Sequence, residues 1–141
     1  MRKKNKVVVD SSVIVKWINS QEEKNLDKAD KLLKDCEKGK VSLIAPELSK
    51  YEVGNAVLYK GLDIPMAKAS LGTISDIPIS FIRQSVEDLK EIIEIAGIEK
   101  VTFYDASFVE LAKKEGAVLV SANPKHQKSF TGVKVIDLKD Y

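Results

Sequence analysis

The sequence predicts an α/β fold with a mostly parallel sheet and helices on both faces. Three observations carry that prediction. Short continuous apolar runs, Val7-Val-Val9 and Ala117-Val-Leu-Val120 among them, read as strands buried on both sides. Between such runs lie segments of roughly 10–15 residues with apolar side chains at helical spacing. Glycines just past several of these segments supply stops.

The elements follow in order. Lys6-Val-Val-Val-Asp10 is the first strand, and Ser11-Ser12 offers cap chemistry for a short helix over Val13–Ile18. Leu26, Ala29, Leu32, Leu33 and Cys36 make an amphipathic helix that stops at Gly39. Val41–Ala45 is a second strand. Pro46 suits the first turn of the next helix, which runs to about Lys60 and ends at Gly61. A helical piece over Pro65–Ser75 precedes a short strand over Ile77–Ile82. Val86, Leu89, Ile92, Ile93 and Ala96 predict a helix over Ser85–Ala96, stopped by Gly97, and a further helix spans Tyr104–Glu115, stopped by Gly116. Ala117–Val120 and Val133–Ile136 complete the strands.

The chain has 141 residues, the size of one domain, and nothing in it reads as a linker or a repeat, so residues 1–141 are taken as one unit. Lysine and arginine total 23 against 21 acids, a net charge of +2. Such a balance excludes a chain that binds nucleic acid by bulk charge. The single cysteine, Cys36, and the single histidine, His126, exclude an intramolecular disulfide, a Cys/His zinc site and any site needing two imidazoles. No apolar run approaches the ~20 residues of a membrane span, and Val7–Val9 is too short for a signal-peptide core. A reducing cytoplasm is the expected compartment.

Four polar positions interrupt the apolar pattern. Asp10 closes the first strand, at the carboxyl edge where ligands bind in such sheets; capping the next helix is the plain structural alternative. Glu52 shares a helix face with Leu48 and Ala56, which places a carboxylate part-buried, although Lys50 and Lys60 show a wet side on the same helix. Asp105 lies in Thr102-Phe-Tyr-Asp105, a capping-box pattern, yet with Phe108, Val109 and Ala112 it also belongs to the core-facing stripe. Ser121-Ala-Asn123 follows the Val118–Val120 strand and is also a run of turn formers. Topology brings three acids and an amide to one rim of one sheet. Like charges that close repel, so such a cluster is costly without a cation. Carboxylates, an amide oxygen and water form the ligand set of Mg²⁺ or Mn²⁺ rather than of zinc.

Val7-Val-Val-Asp10-Ser-Ser12-Val-Ile-Val-Lys-Trp17, Ala45-Pro46-Glu-Leu-Ser-Lys-Tyr-Glu52-Val-Gly-Asn55, Thr102-Phe-Tyr-Asp105-Ala-Ser-Phe-Val-Glu-Leu-Ala112 and Leu119-Val-Ser121-Ala-Asn123 resemble, in order, the motifs of PIN-domain ribonucleases. They resemble most those of the VapC-type toxins of type II toxin–antitoxin pairs, along essentially the whole chain. The resemblance implies a PIN-like three-layer α/β/α sandwich and Mg²⁺- or Mn²⁺-dependent endoribonuclease activity. By position Asp10, Glu52 and Asp105 match the three leading acids of the family's pocket and its metal ligands. Ser12 and Ser121 match small hydroxyl residues that support it. Asn123 departs from the pattern, since many relatives carry an aspartate there. Asp76, Asp88 and Asp140 are candidates to replace that charge. The resemblance also implies a cognate antitoxin and a homodimer, for which Leu62–Ile82 offers either an interface or more core.

An acidic pocket repels RNA, and Lys16, Lys50, Lys125 and Lys128 are near the proposed rim by topology. His126 reads as a loop residue, and Trp17 and Tyr104 as packing residues. Two other readings compete with the nuclease. One is a catalytically silent PIN-like module that binds RNA or an antitoxin, which Asn123 favours. The other is a phospho-acceptor receiver domain, which fits poorly because a lone Asp10 followed by Ser-Ser replaces the acidic pair that such domains carry.

Overall fold

A computed structural model describes residues 5–124 and 132–141. Five parallel strands form one sheet: β1 Asn5–Val9, β2 Val41–Pro46, β3 Ile79–Ile82, β4 Val118–Ser121 and β5 Val135–Asp137. Their spatial order is β3-β2-β1-β4-β5. The alternation along β1 sorts the core. Val7 and Val9 face a cluster with Val13, Ile14, Leu32, Val53 and Val57. Val8 faces the opposite cluster, with Phe108, Val109, Leu111 and Leu119. Each fully buried side chain of this kind contributes roughly 1.5–3 kcal/mol.

The first cluster is roofed by α1 Ser11–Ile18, α2 Leu26–Glu37, α3 Ser49–Tyr59 and α4 Ile64–Gly72. The second is covered by α6 Phe103–Glu115, against which α5 Val86–Glu99 packs. Helices on both faces of a parallel sheet make the three-layer α/β/α sandwich expected from the sequence.

Two element ends differ from the sequence reading, and two positions it left open can be placed. Asp10 caps α1, as its structural alternative had it: its side chain accepts the Ser12 amide at 3.3 Å. Pro46 ends β2 instead of opening a helix. The Glu47 amide then bonds Ile82 O at 2.9 Å, and α3 starts only at Ser49. Gly97 does not stop α5, which continues to Glu99. Its terminus is Lys100 in the left-handed region at φ 57°, with the Lys100 and Val101 amides both closing on Ala96 O. Within Leu62–Ile82, Leu62, Leu71, Ile74, Ile77 and Ile79 pack against the first core, whereas Ile64 and Met66 are exposed.

Candidate active site

The strand order turns at β1: the chain leaves it for β2 on one side, and β4 lies on the other. Ligand crevices of parallel sheets open at such a point, outside the carboxyl ends of the strands. Asp10 stands there. Its amide bonds Val120 O at 2.9 Å, which ties the end of β1 to β4. Its carboxylate Oδ2 accepts from Ser12 Oγ at 2.5 Å, from the Ser12 amide at 3.3 Å and from Ser121 Oγ at 3.2 Å. The two serines are themselves fixed, because Ser12 Oγ accepts the Ala122 amide and Ser121 Oγ the Asn123 amide, each at 3.0 Å. All three bonds to the carboxylate fall on Oδ2, so Oδ1 keeps its lone pairs for a ligand. Asp10 is thus cap and site residue together.

Glu52 enters from the first turn of α3, where Ser11 Oγ donates to its Oε1 at 3.0 Å. Asp105 enters from the first turn of α6. Thr102 Oγ1 accepts the Asp105 amide at 3.0 Å, but the Asp105 carboxylate makes no return bond to the Thr102 amide. Half a capping box leaves the carboxylate to the cavity. Asp10, Ser11, Ser12, Glu52, Asp105 and Asn123, with Val15 and Ala56, line one cavity of about 240 Å³. Ser121 supports it from behind. The sequence-predicted constellation is therefore assembled, and Ser11 joins it as a residue that the sequence reading treated only as cap chemistry.

The electrostatics are those of buried, neighbouring acids. Burial, above all, raises the Asp10 pKa above the ordinary carboxylate range against the opposing bonds from Ser12 and Ser121, and the Asp105 charge raises it further. Burial likewise raises Glu52; the Ser11 bond opposes it, while Asp10 and Asp105 add to the rise. Among the described residues no lysine or arginine lines the cavity. An all-oxygen donor set of carboxylates, hydroxyls and an amide fits a hard divalent cation. No three described acids, histidines or cysteines already sit close enough to clasp an ion directly, so the acids frame a space that water ligands would share.

The lysines do not follow the sequence reading. Lys16 is corrected: its side chain is only 6% exposed, and its Nζ holds Glu23 at 3.1 Å and Lys24 O at 2.7 Å, so it is an internal ion pair rather than an RNA contact. Lys50 is exposed but turned to Glu47 at 3.0 Å and to the Phe81 ring, and it lines no part of the cavity. Lys125, Lys128 and His126 lie outside the described residues. Asp76, Asp88 and Asp140 line no part of the cavity and replace no charge at Asn123. Trp17 packs as expected and donates to Ala29 O at 2.9 Å. Tyr104 does not pack; it is 56% exposed.

The PIN domain profile matches residues 7–129. The chain belongs to the PIN domain family. Solved structures repeat this PIN fold. PAE2754 from Pyrobaculum aerophilum superposes with a TM-score of 0.66 at 27% identity, covering 96% of this chain and 90% of that one. DNA-bound VapBC from Salmonella typhimurium gives 0.69 at 16% identity, with 95% and 98% covered. VapC20 of Mycobacterium tuberculosis, described as a toxin that cleaves the sarcin–ricin loop, gives 0.68 at 13%, with 91% and 98% covered. No curated protein matches the chain in sequence. The resemblance in the four sequence segments is thereby borne out at the level of the PIN fold and family.

Proposed function

We propose that this PIN domain is a Mg²⁺- or Mn²⁺-dependent endoribonuclease, the toxin of a VapC-type toxin–antitoxin pair working in the cytoplasm. One observation carries the reading: carboxylates from the end of β1, from α3 and from α6 line a single cavity at the sheet's turning point. Asp10 and Asp105 would hold the cation, directly or through water, and Glu52 would act on the attacking water or hold a second ion. A bound divalent ion lowers the pKa of coordinated water and offsets charge on a scissile phosphate.

The protein's own groups divide the remaining work. Asp10 presents Oδ1 while Ser12 and Ser121 hold Oδ2, which fixes the carboxylate plane. Glu52, raised in pKa and aimed by Ser11, is suited to accept a proton from the attacking water. Asn123 adds a neutral acceptor where a fourth carboxylate would add charge. A toxin–antitoxin complex from Klebsiella pneumoniae is among the structures similar to this one, which supports an antitoxin partner. A homodimer is part of the same proposal.

The test is cleavage of single-stranded RNA by the purified protein with Mg²⁺, Mn²⁺ or EDTA, beside the Asp10→Asn variant. The expected result is metal-dependent cleavage that Asp10→Asn removes. Cleavage indifferent to EDTA or to that substitution overturns the metal-nuclease reading. No cleavage of several RNAs, with antitoxin absent, favours the silent binding module that Asn123 suggests.

A further inference from the structure

A second cavity, of about 310 Å³, adjoins the acidic one and shares Glu52 with it; its other walls are Tyr51, Asn55 and Tyr104. Its volume falls at the lower end of small-ligand sites. Both tyrosines are large aromatic groups left in water, Tyr51 at 79% exposure and Tyr104 at 56%. Each is the immediate chain neighbour of a site acid, Tyr51 of Glu52 and Tyr104 of Asp105. They come from opposite layers of the sandwich, α3 and α6, and meet at one cleft.

The acids of the first cavity by themselves repel a polyanion. Among the described residues neither cavity is lined by a lysine or arginine, and Lys16 and Lys60 are both committed to Glu23. A strand whose phosphate approaches the acids gains from any grip on its bases. Exposed aromatic faces supply one, since any nucleobase stacks on them. Asn55 offers an amide that can donate to and accept from a base edge.

The geometry points to a nucleobase subsite: Tyr51 and Tyr104 stack a base of single-stranded RNA next to the phosphate held at the acidic cavity, with Asn55 at the base edge. This rests on the nuclease reading and deepens it, because a base must be unpaired to enter. A duplex keeps its base faces stacked internally and has nothing to offer the cleft.

The experiment measures binding apart from cleavage. Fluorescence anisotropy of a labelled single-stranded RNA 12-mer, and of the same strand in a duplex, is followed with full-length Asp10→Asn protein in Mg²⁺. Tyr51→Ala, Tyr104→Ala and the corresponding Phe variants are added to that background. Both Ala variants are expected to weaken single-strand binding about tenfold, with each Phe variant close to its parent and duplex binding unchanged. Equal binding by parent and Ala variants overturns the subsite. So does a Phe variant as weak as its Ala counterpart, or a parent that binds no RNA. Ala variants that keep RNA but lose the antitoxin or a dimer, seen by size-exclusion chromatography, would reassign the cleft to a protein contact. The two readings fail separately: tyrosine-dependent binding by a protein whose wild type cleaves nothing removes the nuclease and keeps the cleft.

Discussion

At the scale of single residues, the site depends on its neutral polar groups as well as on its acids. Ser11 is the sole described donor to the Glu52 carboxylate. Removing it frees Glu52 without opening the core. Ser11→Ala is therefore expected to lower metal-dependent cleavage by roughly 10- to 100-fold, the range for groups that orient a metal or its ligands. The thermal midpoint should barely move, and kcat should fall more than KM rises. A large stability loss would mean that the serine is structural instead. Asn123 is the second residue to test. Asn123→Asp adds a negative charge to a cavity lined by three acids and, among the described residues, no cation. Calorimetric titration with Mg²⁺ should then show binding about tenfold tighter, because affinity in oxygen sites follows the ligands' charge count. Unchanged affinity would place Asn123 outside the coordination shell. The three acids were readable in the sequence because each broke an apolar pattern, whereas the departure at Asn123 was readable only through the family resemblance. Ser11 was not, because a serine after Asp10 reads equally as cap chemistry.

Among the elements, α1 and α3 matter most, since they carry Ser11 and Glu52 and pack against each other. Their far ends are clamped by an ion triad. Glu23, in the loop between α1 and α2, accepts Lys16 Nζ at 3.1 Å and Lys60 Nζ at 2.8 Å, with side-chain exposures of 17%, 6% and 9% respectively. Lys16 also bonds Lys24 O, and Lys60 bonds Gln21 O, so the loop is pinned at both sides. Glu22 and Asn25 there hold φ of 57°, a conformation that asparagine adopts readily but that costs roughly 1–2 kcal/mol at Glu22 without outside support. Glu23→Ala leaves two lysines without their shared acid. The expected loss is about 3 kcal/mol in urea unfolding, near the low end for a broken buried pair because Glu23 keeps some water. A change under about 0.5 kcal/mol, the ordinary range for surface substitutions, would mean that the triad is surface decoration. Strands and helices were legible in the sequence because their apolar periods are long and consistent. The triad was not, since Lys60 lies 37 residues beyond Glu23 and each of the three charges reads alone as a wet one. The same blindness put Lys16 on the RNA rim. Element ends were the other weak point: Pro46 suits a helix start as well as a strand end, and Gly97 looks like a stop when Lys100 supplies it.

For the molecule as a whole, a net charge of +2 conceals an uneven distribution of acids. One group gathers at the cavity. Another acid, Glu110, is buried in the opposite layer, where Gln84 Nε2 donates to its Oε2 at 3.0 Å and to Ser107 O at 3.3 Å, tying the start of α5 to α6. Burial, above all, raises the Glu110 pKa; the Gln84 bond and the Lys114 charge oppose this, and the Asp88 charge adds to it. Facing it across the same groove are Asp88, Glu91, Lys113 and Lys114. Asp88 itself is lowered to about 2, chiefly by the Ser85 amide and next by Lys114, so it stays ionised through the range in which Glu110 titrates. A carboxyl whose folded pKa exceeds its unfolded value holds its proton more tightly when folded. Its contribution to stability is complete below the unfolded value of 4.5 and is lost as pH rises through the folded value. Glu110→Gln keeps an acceptor for Gln84 and removes the charge. The variant should therefore melt above wild type at pH 7, and the difference should vanish near pH 4. Differential scanning calorimetry over that range, without added metal so that the cavity acids contribute equally to both proteins, checks it. A variant that melts lower at pH 7 would show that the ionised Glu110 is stabilised in place, with Lys114 as the first group to examine.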